Sequence, residues 1–145
     1  MSNNIYTAGL GNVGSYQVSG APYASGSIVC HNLTQGPIVI QFPYVTKWVH
    51  IQNNSTVAAE DLRVGFSSLG ITNSSNYFVL PNRQATTTGD RSAASRFTLN
   101  MKLTEIWISG SSNVDIVAGL TNIPIERITN ISPSGSNWSG SSGVG

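Results

Sequence analysis

The sequence predicts an all-β protein, an antiparallel β-sandwich of jelly-roll type with an extended N-terminal arm and a Ser/Gly-rich C-terminal tail. Three observations lead there. Short runs rich in Val, Ile, Thr, Tyr and Trp alternate apolar with polar residues, as a pleated, half-buried surface requires. The runs recur about every 8 to 15 residues, separated by Gly, Pro, Asn and Ser turn formers. No window keeps a 3.6-residue period between caps, so essentially no α-helix is expected. The domain division that follows is an arm over 1–14, a sandwich over 15–131 and a tail over 132–145.

Taken in order, 1–14 is Gly- and Asn-rich, and Ile5, Tyr6, Leu10 and Val13 are its only apolar anchors. A strand over 15–19 is expected to close at the turn Gly20-Ala21-Pro22, and a second strand covers 27–31. The run 37–42 places Ile38, Ile40 and Phe42 on one face and leads through Pro43 into the longest β-favouring stretch, 42–53. There, alternation puts Val45, Lys47, Val49 and Ile51 on one side and Thr46, Trp48, His50 and Gln52 on the other. Strands are expected over 61–66 and 77–80, with a turn-rich loop over 67–76 between them. The run 96–103 sets Phe97, Leu99, Met101 and Leu103 on one face. That phase slips before Ile106 and Ile108, which predicts a bulge or corner near Leu103-Thr104. Strands over 104–109 and 113–120 complete the centre, Pro124 ends the ladder, and 128–131 forms a last edge strand. The expected core contains Ile40, Val49, Ile51, Leu62, Val64, Phe66, Ile106, Ile108, Val114 and Ile116.

At 145 residues and 15.3 kDa the chain is one domain, long enough to bury a core. Charged residues make up 9%, against about 25% in ordinary soluble domains. Ser, Thr and Asn fill the difference at about a third of the chain. Such a surface suits packing against copies of itself, because little charge must be desolvated or matched. A net charge of +1 leaves no basic footprint for nucleic acid. The single Cys30 allows no intrachain disulfide. No secretory leader and no membrane-length apolar run is present, so synthesis in a cytoplasm is the expectation.

Motifs of chemistry are sparse. Gly9-Leu10-Gly11-Asn12-Val13-Gly14 has dinucleotide-fingerprint spacing, but the following residues read as strand and turn where the motif needs a helix N-terminus. His31 and His50 sit in expected strands, and none of the six carboxylates forms a recognisable acid/base pair. One Cys and two His cannot complete a standard zinc site within one chain. Cys30 reads as a small buried hydrophobe. Trp48, Trp107 and Trp138, with Tyr16, Tyr23, Tyr44 and Tyr77, could form a sugar-binding platform, though such residues more often fill cores and subunit interfaces. Catalytic residues, a metal and a cofactor are accordingly not expected.

Several blocks together resemble the small structural proteins of tailed bacteriophages. They are 14–23 (GSYQVSGAPY), 42–47 (FPYVTK) followed by 62–66 (LRVGF), 102–108 (KLTEIWI) and 118–124 (AGLTNIP). The likeness spans about residues 14 to 128 and rests on packing motifs, so it implies a scaffold and no chemistry. What the resemblance implies is a non-enzymatic virion protein, commonly a homotrimer, that decorates or cements the capsid or forms a head fibre. Its partners would be itself and the major capsid protein, its location the capsid surface, after synthesis in the host bacterial cytoplasm. The assembly contacts expected are Ile5, Tyr6, Leu10, Val13 and Trp138. The alternative is a receptor- or glycan-binding module of a fibre or tail.

Overall fold

The computed structural model describes residues 20–30, 37–72, 75–84 and 94–125. The arm over 1–14, the strands expected at 15–19 and 128–131, and the tail lie outside them. The described residues form eight strands: β1 (Ala21–Ile28), β2 (Ile38–Gln41), β3 (Tyr44–Asn53), β4 (Leu62–Gly65), β5 (Tyr77–Leu80), β6 (Arg96–Leu99), β7 (Glu105–Ser109) and β8 (Val114–Pro124). They build two four-stranded antiparallel sheets, ordered β1-β8-β3-β6 and β2-β7-β4-β5. Only β4 and β5 are neighbours both in sequence and in a sheet. Most other connections carry the chain from one sheet to the other.

Alternation is what makes the two sheets face one another. Val49 and Ile51 of β3 and Val114, Ile116, Ala118 and Leu120 of β8 point inward from the first sheet. Ile40, Leu62, Val64, Ile106 and Ile108 meet them from the second. Each such aliphatic side chain contributes about 1.5–3 kcal/mol on burial. On the β1/β2 side the core is closed by Tyr23, whose ring stands edge-on to the buried Phe42 at 5.2 Å.

Several local expectations are corrected. Ala21 and Pro22 open β1 where a turn was expected, and of the strand expected at 27–31 Ser27 and Ile28 belong to β1 while Val29 and Cys30 lie beyond it. Pro22 is tolerated because β1 is an edge strand, where a missing N–H need not break a central ladder. In β3 the register shifts on either side of Thr46, so Val45 and Thr46 are both buried and Lys47 is exposed instead of sharing the Val45 face. Among the described residues one helical turn, α1 (Ser68–Thr72), stands where only loop was expected. Ser67 caps it by accepting the Gly70 N–H on its hydroxyl at 2.9 Å. Phe66 is only half-buried.

The run 96–103 is not one strand. β6 ends at Leu99, and the chain then crosses to the other sheet and enters β7 at Glu105. Thr46 holds this corner: its hydroxyl donates to the Met101 carbonyl at 2.8 Å and accepts the Leu103 N–H at 2.9 Å. β8 runs past the expected Leu120 to Pro124, and the buried Thr121 hydroxyl donates to the Val45 carbonyl at 2.7 Å.

Candidate functional site

Polar side chains concentrate where the β3–β4 and β7–β8 loops meet the chain leaving β5. Asn53, the last residue of β3, is fully buried and uses both ends of its amide. Its Nδ2 donates to the Glu60 and Leu80 carbonyls at 3.0 Å each. Its Oδ1 accepts the Ser55 N–H at 3.1 Å and the Ser111 hydroxyl at 2.7 Å. The Glu60 carboxylate accepts the Ser55 hydroxyl, and the Ser112 N–H at 3.2 Å and hydroxyl at 2.5 Å. Asp61 accepts the backbone and side-chain N–H groups of Asn82 at 2.9 and 2.8 Å. Asp115 accepts the Ser27 N–H at 3.0 Å and the Asn54 amide at 2.6 Å. Gly110, at φ +106°, turns the β7–β8 loop back on this cluster, and a Cβ there would run into the Asp61 carbonyl.

The arrangement binds loops together: Glu60 accepts through Oε2, Asp61 through Oδ1 and Asp115 through both oxygens, all from neighbouring donors. Among the described residues no three or more His, Cys, Asp or Glu side chains gather where they could hold a metal ion. Cys30 is 4% exposed at the margin of this cluster, its N–H donating to the Ser111 carbonyl at 2.7 Å. Burial, reinforced by the nearby Glu60 charge, pushes its thiol pKa up and favours the protonated form. His50 lies half-buried on the outer face of the first sheet, its Nδ1 2.9 Å from the Thr98 hydroxyl. His31 is outside the described residues.

Among the described residues the aromatic side chains do not share one platform; Tyr16 and Trp138 lie outside them. Tyr23 is turned inward onto the core, and Trp48 lies on the outer face of the first sheet against Gly119, where a Cβ would sit 2.7 Å from the indole Cε2. Trp107 and Tyr77 flank Gly65 on the outer face of the second sheet, and Ile71 of α1 packs over that glycine between them. Arg63 covers the Tyr77 ring at 4.8 Å. Burial pushes the Glu105 carboxyl above its usual range, opposed by the nearby Trp107 indole, whose N–H stays outside hydrogen-bond geometry.

One surface was not legible as such in the sequence. Phe97 pairs with the fully buried Ile51 and so occupies a core-side position of β6, yet it is 51% exposed. Phe78 of β5 touches it edge-on at 5.8 Å, and Leu99 and Met101 lie half-buried beside the core. Val79, next along β5 and turned to the outer face opposite Arg63, is 48% exposed. The side of the sandwich bounded by β5 and β6 is therefore an apolar seam, unlike the β1/β2 side. The alternation of 96–103 marked Phe97 as apolar-facing but carried no sign that its strand would be outermost. The five expected assembly contacts, Ile5, Tyr6, Leu10, Val13 and Trp138, lie outside the described residues. No helix among the described residues is long and apolar enough to cross a membrane. No family model matches the chain, nor does any curated protein or solved structure.

Proposed function

We propose that this chain is a non-enzymatic structural protein of a tailed-phage virion, a jelly roll that oligomerises and decorates or cements the capsid. The observation that carries the reading is the strand order, β1-β8-β3-β6 facing β2-β7-β4-β5. That order supports the jelly-roll reading, because two Greek keys wound into a double sheet, as in viral capsid and lectin domains, would give it. The sparse charge and the apolar seam at Phe97 support a surface meant to be covered by protein. Polar groups at the loop end are committed to holding loops, which favours a scaffold over a catalyst. Binding would work by avidity: a subunit bridging several capsid proteins gains effective concentration without strong individual contacts. Ile5, Tyr6, Leu10, Val13 and Trp138 are the side chains proposed to anchor the terminal segments on neighbouring subunits or the shell.

A second reading, a glycan- or receptor-binding module, is favoured by the half-exposed Trp48 ring seated against Gly119. Quantitative mass spectrometry of purified phage particles whose genome encodes the chain separates the two. Hundreds of copies per particle fit a cement, tens fit a fibre or tail module, and absence from the particle overturns both.

A further inference from the structure

The geometry points to β6 as the strand through which two copies of this chain pair, continuing the first sheet across a twofold axis at Thr98. Among the described residues β6 is the outermost strand of that sheet, and its backbone groups divide into two sets. Asn53 and Ser95 stand opposite one another, and the Asn53 N–H donates to the Ser95 carbonyl at 2.8 Å. In an antiparallel ladder hydrogen-bonded and non-hydrogen-bonded pairs alternate. The backbone groups of Phe97 and Leu99 therefore bond to Ile51 and Val49. Those of Arg96 and Thr98, and of Asn100 just beyond, point away from the sheet. The β3–β8 side has the complementary phase, because the Asn54 N–H donates to the Asn113 carbonyl at 2.8 Å.

A twofold axis through Thr98 matches this set to itself. Thr98 meets Thr98 of the partner subunit as a hydrogen-bonded pair, and Arg96 meets Asn100 of the partner subunit in the same way. Phe97 then faces Leu99 of the partner subunit as a non-hydrogen-bonded pair, the arrangement that brings side chains closest. The half-exposed phenyl is thereby covered from the core side by a leucine, with Phe78 behind it. The two Arg96 side chains are not set opposite each other, so no like-charge pair forms. The intervening segment 85–93 contains no large apolar residue that could cover Phe97. The opposite edge of the same sheet is blunted by Pro22 and by a register shift between Ser25 and Ile28, both devices that discourage edge pairing. β6 has neither.

The pairing rests on backbone geometry and does not require a virion role. Its mass also differs from the trimer implied by the resemblance, so the two ideas fail separately. Light scattering at tens of micromolar is expected to give twice the 15.3 kDa chain mass for the full-length protein. Thr98→Pro removes an N–H that points away from β3 and takes no part in the β3–β6 ladder, so it should stay folded by circular dichroism and run as a monomer. In a Cys30→Ala background, Thr98→Cys should form an intersubunit disulfide on mild oxidation. Hydrogen-bonded pairs have Cα atoms about 5.5 Å apart, inside the disulfide range. Arg96→Cys should not, since the two positions would lie about 14 Å apart along the paired strands. A monomeric full-length protein overturns the proposal, as does a folded Thr98→Pro that stays dimeric, or equal cross-linking at 96 and 98. If Thr98→Pro does not fold, the cysteine pair decides. A trimer overturns this pairing and leaves the oligomeric part of the proposed function standing.

Discussion

Replacing Asn53 by Ala tests whether the polar cluster holds the loop end of the sandwich together. The side chain makes four hydrogen bonds, to the carbonyls of Glu60 and Leu80 and from the Ser55 N–H and Ser111 hydroxyl. Alanine strands all four partners in a site where Asn53 has no exposure. Each bond contributes a net of about 1 kcal/mol, and a donor or acceptor left buried costs about 1–3 kcal/mol. Glu60 is only half-buried, so water can reach part of its surroundings and the loss falls toward the lower end. The expected destabilisation is about 3–5 kcal/mol, a large share of the roughly 5–15 kcal/mol that holds a typical domain folded. At about 4 °C per kcal/mol for a domain of this size, Tm should fall by about 12–20 °C. Differential scanning calorimetry at pH 7 measures it. Gln52→Ala is the control, because Gln52 reaches only the Asn54 side chain and should change stability by less than about 0.5 kcal/mol. A fall in Tm below about 4 °C for Asn53→Ala would refute the view that this amide ties the loops.

Other perturbations probe separate parts of the molecule. Val64→Asp places an unpaired charge at a position with no exposure, costs several kcal/mol and should abolish the folded circular dichroism spectrum. Cys30 should resist a thiol reagent at neutral pH in the native state and react fully in denaturant, because burial keeps it inaccessible and protonated. The raised Glu105 pKa means the folded state holds that proton to higher pH than the unfolded chain, so its contribution weakens stability as pH rises above about 4.5. Glu105→Gln should therefore melt slightly higher than the wild type at pH 7, with the difference gone by about pH 3.5; an equal difference at both values would show that charge is not the cause.

Much of the strand content was decided by the sequence alone, because a strand's inward and outward residues are set by its own alternation. The run 77–80 forms β5 without adjustment, and Val49, Ile51, Ile106, Ile108, Val114 and Ile116 are buried as their spacing demands. The corner before Ile106 was visible as a slip in phase. What the sequence could not decide is which strand lies beside which, since pairing depends on residues far apart in the chain. Pro22 reads as a turn former until β1 proves to be an edge. Thr46 reads as outward-facing until a register shift buries it to hold the Met101–Leu103 corner. Asn53 reads only as the polar end of the 42–53 run, and only the convergence of three loops gives its amide four partners. Phe97 alternates as a core residue, and only the placement of β6 at the rim of its sheet leaves that ring in solvent. Side-chain pattern determines which face of a strand is buried, whereas the number of neighbours that cover that face is a property of the assembled sheets.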